Sequence, residues 1–156
     1  MVDVAETAPD FTLPRDGGGE LTLSELRPGP VVLYFYPRDD TPGCTKEAIA
    51  FSEHLDAFEA AGATIVGVSK DSVKKHDKFR DKHGLKVALV SDEESDLCER
   101  YGVWVEKNMY GKTYFGIERA TFLIDGAGQI AQVWRKVKVP GHAEIVLEAV
   151  QALAPA

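Results

Sequence analysis

The run Val31–Tyr36 (VVLYFY) constrains the fold more than any other segment. It is continuously apolar and rich in β-branched and aromatic residues, too short for a buried helix of ordinary length. A strand covered by helices on both faces needs this composition, whereas a strand with one wet face would alternate. From Thr45 to about Ala60 the spacing turns helical, with Ala48, Phe51, Leu55 and Phe58 three and four apart and Gly62 closing the helix. Thr64–Ser69 reads as the next strand. Ser72 is placed to cap a helix over Val73–Lys82, on which Val73, His76 and Phe79 or Arg80 share a face. Val87–Val90 reads as a third strand, and Ser91 or Asp92 as the cap of a short helix through Tyr101.

Before this unit, Phe11–Leu13 and Gly17-Gly18-Gly19 read as a short extended piece and a turn. After it comes a Gly-rich, aromatic loop containing Trp104, Met109, Tyr110, Tyr114 and Phe115. That loop either walls a ligand's apolar tail or packs on the sheet. Ala120–Ile124 and Gln129–Trp134 flank Asp125-Gly126-Ala127-Gly128 as an antiparallel hairpin, and an apolar helix runs from about Ala143 to Leu153. Strands alternating with helices, then a hairpin and a last helix, predict an α/β chain with a mixed central sheet and helices on both faces, in a thioredoxin-like topology. At 156 residues with 44% hydrophobic residues, one domain over 1–156 is expected.

The formal net charge of -7 argues against a nucleic-acid partner, because phosphate binding needs clustered cations. Lys70–Lys82 looks basic, but its interleaved Asp residues mark a solvated helix face. No segment approaches the roughly 20 apolar residues that span a bilayer, and Met1–Phe11 lacks the charged and apolar regions of a secretory signal. The expected compartment is therefore the cytoplasm, where the two cysteines, Cys44 and Cys98, do not form a standing structural bridge.

Cys44 lies where the chain passes from the central strand into a helix, at the end of Tyr36-Pro37-Arg38-Asp39-Asp40-Thr41-Pro42-Gly43. In open α/β sheets ligands gather at the carboxyl ends of strands, and the N-H groups and partial positive charge of a helix start favour a reactive thiolate. A dithiol oxidoreductase would carry C-x-x-C here; Thr41 stands at the first of those positions, and a hydroxyl beside a thiolate suits a bound oxygen ligand such as a peroxide. Neither G-x-S-x-G nor a cysteine with an evident histidine base supports a hydrolase, and no glycine-rich turn opens a helix as a dinucleotide site requires. The four histidines show no zinc-ligand spacing with the cysteines and are expected on helix surfaces or caps, so no metal or organic cofactor is implied.

Pro37, Thr41 and Cys44 reproduce the P-x-x-x-T-x-x-C pattern of the peroxiredoxins. Phe35-Tyr36-Pro37 with Thr41–Ala48 resembles the bacterioferritin comigratory protein (peroxiredoxin Q) subfamily. The resemblance extends from Ala8–Leu13 through Gly102-Val103-Trp104 and Gly116–Arg119 to Thr121–Asp125, nearly the whole chain. It implies a thioredoxin fold and reduction of hydrogen peroxide and organic hydroperoxides through a Cys44 sulfenic acid. It also implies Arg119 as the site's cation, Pro37 as a shield of the sulfenate, and a monomer or weak homodimer. Glu47 either fixes Arg119 or compensates the helix dipole; the bland alternative for Arg119 is a surface pair with Glu118 or Asp125.

The subfamily's resolving cysteine lies five residues after the peroxidatic one, here Ile49, or in the following helix, here aligned with Arg80. Neither is a cysteine. Cys98 is the other sulfur, expected half-buried on the flank of a stripe made by Leu97 and Tyr101 and pointing away from the active edge. A one-cysteine cycle with an external thiol, such as thioredoxin or glutaredoxin with glutathione, is the favoured reading over resolution by Cys98. A peroxide-sensing switch would share the first chemical step and differ in lacking turnover.

Overall fold

The computed structural model describes residues 2–153. Strand β1 (Thr12–Pro14) pairs antiparallel with β2 (Glu20–Thr22) across the glycine turn. Strands β3 (Val31–Phe35), β4 (Thr64–Ser69) and β5 (Ala88–Ser91) alternate with helices α1 (Pro42–Glu53), α2 (Leu55–Ala60) and α3 (Val73–His83). Then follow α4 (Leu97–Arg100), β6 (Trp104–Met109), β7 (Lys112–Ile117), β8 (Ala120–Ile124), β9 (Ile130–Arg135) and α5 (His142–Gln151). The five-stranded sheet has the order β5-β4-β3-β8-β9, parallel over β5-β4-β3 and antiparallel over β3-β8-β9. The described residues include no helix long and apolar enough to cross a membrane.

Strand β3 is central and buried at all five positions, as its uninterrupted apolar run predicts. Its odd and even residues divide the interior in two. Val31, Leu33 and Phe35 face a core with Leu97, Cys98, Tyr101 and Phe122; Val32, Tyr34 and Tyr36 face another with Cys44, Phe51, Phe58, Phe79 and Val146. Each fully buried large apolar side chain contributes roughly 1.5–3 kcal/mol. Tyr34 fits because Gly67, its cross-strand partner, has no side chain: a Cβ there would lie 2.7 Å from the Tyr34 ring.

Several expectations shift. The helix expected from Thr45 starts earlier, at Pro42, whose missing N-H costs nothing in a first turn, and it breaks at His54. The break still lets Phe51 and Phe58 reach one core, with ring centroids 6.0 Å apart. Ser72 caps α3 as expected, its Oγ accepting from the Lys75 N-H at 3.2 Å. The short helix is only Leu97–Arg100, with Asp92 capping it at a distance by accepting from the Leu97 and Cys98 amides. The aromatic segment is not a loop but the β6-β7 hairpin, paired from Trp104–Ile117 to Met109–Lys112. Nor do all the histidines lie on surfaces or caps: His76 and His142 are buried in the core, where the face shared with Phe79 takes His76.

Candidate active site

Helix α1 carries Cys44 as its third residue, in the first turn, where backbone N-H groups have no intrahelical partners. Thr41 occupies the N-cap position. Its hydroxyl does not cap the helix; it donates to the Arg38 carbonyl at 2.9 Å, which leaves the oxygen's lone pairs free to accept. Cys44 is 2% exposed.

Arg119 reaches this sulfur from the connection between β7 and β8. Phe35 of β3 pairs with Ala120 of β8, so the residue before Ala120 stands beside the point where the Tyr36–Thr41 segment leaves the sheet. The Arg119 carbonyl accepts from the Val137 amide at 3.1 Å, which ties this connection down. One guanidinium nitrogen, Nη2, donates to Cys44 Sγ at 3.4 Å, and Nη1 donates to Glu47 Oε1 at 2.7 Å. Glu47 is three residues beyond Cys44 and shares its helix face. The arginine therefore pairs with Glu47, not with Glu118 or Asp125. Gly43 leaves the guanidinium room, since a Cβ there would lie 3.1 Å from Nη2.

Burial dominates the electrostatics under this arrangement. It pushes the Glu47 carboxyl up to about 7 against the pull of Arg119, because the carboxylate is dry while the guanidinium keeps some solvent. Burial opposes the charge on Arg119 as well, but Glu47 and Cys44 outweigh it and carry the guanidinium above its ordinary value. The Tyr34 phenol is held far above its usual range by burial and then by Glu47 and Cys44. Among the described residues, Tyr34 Oη and Glu47 Oε2 are buried atoms with no hydrogen-bond partner. Burial lowers Lys107, helped by Arg119, and its Nζ donates to the Ile117 carbonyl at 2.6 Å.

Pro37 and Thr41 line an open cleft of about 830 Å3 whose far wall is the hairpin, through Trp104, Met109, Tyr114 and Phe115. Cys98 is elsewhere. It is wholly buried, not half-buried, in the core on the opposite side of the central sheet from Cys44, and burial followed by the Asp92 carboxylate drives its thiol far up. Ile49 is partly buried against the Cys44 core, and Arg80 donates to Asp16 and Asp81. No group of three or more His, Cys, Asp or Glu residues among those described is arranged to hold a metal ion.

Sequence reasoning missed Asp39 and His76, which bond to each other behind the Cys44 loop at 2.6 Å, and His142, whose Nε2 meets Thr121 Oγ1 at 2.8 Å. Val73 and Phe79 at helical spacing, the first partly buried and the second buried, were the available signal for His76; nothing local marks His142.

A mixed sheet in this order, with a cysteine opening the helix after its central strand and an arginine bonded to the sulfur, defines a class: thioredoxin-fold proteins with a thiol redox centre. Comparison with known proteins narrows it. Residues 4–133 match the AhpC/TSA family. A putative peroxiredoxin Bcp of Coxiella burnetii is 53% identical over 146 residues, covering 93% of this chain and 97% of that protein. Peroxiredoxin Bcp of Bacillus subtilis is 47% identical over 152 residues, covering 97% and 95%. A structure of the Xanthomonas campestris bacterioferritin comigratory protein, from work on its alkyl peroxide reduction activity, superposes with a TM-score of 0.90 at 49% identity, covering 96% of this chain and 98% of that one. The chain belongs to the AhpC/TSA family, in its bacterioferritin comigratory protein (peroxiredoxin Q) branch, and is a thiol-dependent peroxidase.

Proposed function

We propose that Cys44 is the peroxidatic residue of a one-cysteine cycle in a single domain over 1–156, acting on hydrogen peroxide and organic hydroperoxides in the cytoplasm as a monomer or weak homodimer. The thiolate lone pair of Cys44 forms an S-O bond with the terminal peroxide oxygen as the O-O bond breaks. The bonding pair leaves on the alkoxide or hydroxide, which takes a proton to become alcohol or water, and Cys44 is left as a sulfenic acid. Arg119 stabilises the thiolate and the charge growing on the leaving oxygen. Thr41, its own proton committed to Arg38, accepts from the hydroperoxide O-H, while first-turn amides donate to the peroxide oxygens. Pro37, which lines the cleft, takes the role of shielding the sulfenate that the peroxiredoxin resemblance implies, and Glu47 holds Arg119.

The observation that carries this reading is Arg119 bonded at once to Cys44 Sγ and Glu47, a permanent cation fixed over a first-turn cysteine. The aromatic wall of the cleft supports an organic hydroperoxide as one substrate. The position of Cys98 supports an external reductant, because a bridge to Cys44 would have to pass through the sheet. Thioredoxin, or glutaredoxin with glutathione, supplies that thiol.

The test mixes the protein with excess hydrogen peroxide and follows intact mass and free thiols, with Cys44→Ser and Cys98→Ser alongside. One added oxygen on Cys44 with Cys98 free is expected. An internal disulfide lost in Cys98→Ser would overturn the one-cysteine cycle; a Cys44 inert to peroxide would overturn its assigned role.

A further inference from the structure

Behind the Cys44 loop, helix α3 presents a wholly buried histidine to two acceptors. His76 Nε2 lies 2.9 Å from the Val90 carbonyl and Nδ1 lies 2.6 Å from Asp39 Oδ2. A carbonyl only accepts, so Nε2 carries a proton. The other carboxylate oxygen of Asp39 already accepts from the Tyr36 hydroxyl at 2.6 Å, so the carboxylate is used as an acceptor on both oxygens and Nδ1 faces it as a second donor. Tyr36, Asp39 and, farther off, Asp71 are the titratable groups facing the ring. Although burial opposes the charge, Asp39 raises the imidazole above its ordinary value.

This pair sits at the hinge of the site. Asp39 is five residues before Cys44 and two before Thr41, in the turn that sets the start of α1. Its backbone N-H donates to Asp71 Oδ2 at 2.8 Å, and Asp71 is itself held by Ser69 Oγ at 2.7 Å. Next to it Asp40 adopts a left-handed φ of 59°, a region that aspartate enters more readily than most non-glycine residues, and its carboxylate is bonded to Lys82 and His83 of α3, each at 2.8 Å. The turn is thus held from α3, with the buried bond from His76 as the water-excluded attachment.

We propose that His76 is a positioning residue for the peroxidase reaction: as a buried imidazolium it holds Asp39, and through Asp39 the turn that places Thr41 and the α1 N-terminus around the peroxide. The proposal rests on the reading of Cys44 as the peroxidatic thiol. A small displacement of a reacting group costs up to about a hundredfold in rate, so a turn released from α3 loses peroxide chemistry before it loses the thiol.

Two substitutions separate the bonds. His76→Asn keeps a donor near the Nδ1 position, facing Asp39; His76→Gln keeps one near Nε2, facing Val90. Stopped-flow rates of Cys44 with hydrogen peroxide are measured beside rates with iodoacetamide, after circular dichroism confirms folding. The peroxide rate of His76→Gln is expected to fall about tenfold or more, and that of His76→Asn to recover to within about threefold of wild type. Alkylation is expected not to slow in either. Ring 15N spectra of the wild type at pH 7 are expected to show both His76 nitrogens protonated. Equal losses in the two variants would mean a packing role and overturn the proposal, as would no loss in either or a bare ring nitrogen. If His76→Gln does not fold, Tyr36→Phe removes one hydroxyl from Asp39 and is expected to slow the peroxide step alone; an unchanged rate overturns the proposal. A wild type inert to peroxide overturns the Cys44 reading, and this one with it.

Discussion

Replacing Glu47 by glutamine tests whether the partner of Arg119 is held at an electrostatic cost. The carboxyl is raised from its ordinary 4.5 to about 7, burial outweighing the attraction of Arg119. The native state then binds this proton more tightly than the unfolded chain, so stability falls as pH rises from about 4.5 to about 7 and is level beyond. At 1.36 kcal/mol per pH unit, ionised Glu47 costs the native state about 3 kcal/mol at pH 8 relative to its neutral form, with the pull of Arg119 already included. Glutamine imitates the neutral form: its Oε1 can accept from Arg119 Nη1 as Glu47 Oε1 does at 2.7 Å. For a chain of this size 1 kcal/mol moves Tm by about 2–4 °C, so Glu47→Gln is expected to melt about 6–12 °C higher than wild type at pH 8. Near pH 4.5 the two should differ little. Thermal unfolding by circular dichroism at both pH values measures this. A variant less stable than wild type at pH 8, or a difference independent of pH, would refute the reasoning and make the ion pair a net stabilising contact.

Arg119→Met keeps the bulk near Cys44 but removes the cation, and is expected to lower the second-order rate with hydrogen peroxide about 10²–10³-fold in stopped-flow measurements, the scale of losing a charge-stabilising donor. His142, which burial and then Arg119 push down to about 4, should make the native state shed a proton the unfolded chain keeps. Its contribution to stability is lost as pH falls from about 6.5 to about 4, by about 1–2 kcal/mol after allowance for screening. Chemical denaturation of wild type and His142→Gln from pH 7 to pH 4 should show the wild type losing that much relative to the variant.

The segments with strong local patterns were legible in the sequence. Val31–Tyr36 reads as a strand buried on both faces and Val31–Phe35 is one, Ser72 caps the helix that follows it, and the polar turn before Cys44 opens a helix at a strand's carboxyl end. Propensity, period and capping act over a few residues, so they survive being read without the fold. With the peroxiredoxin resemblance they also named Cys44, Thr41, Pro37 and Arg119. The aromatic segment was misread because cross-strand pairing made Trp104–Met109 and Lys112–Ile117 a hairpin where glycines suggested a loop.

Charge states and partners belong to the tertiary structure alone. Arg119 meets Cys44 because β3 and β8 pair in one register, and His76 meets Asp39 because α3 packs behind the loop. The side of the sheet that each cysteine occupies depends on which core closes around it, and the proton on Glu47 depends on how dry that core is. Burial and register are properties of contacts between distant segments, and no local stretch of the chain encodes them.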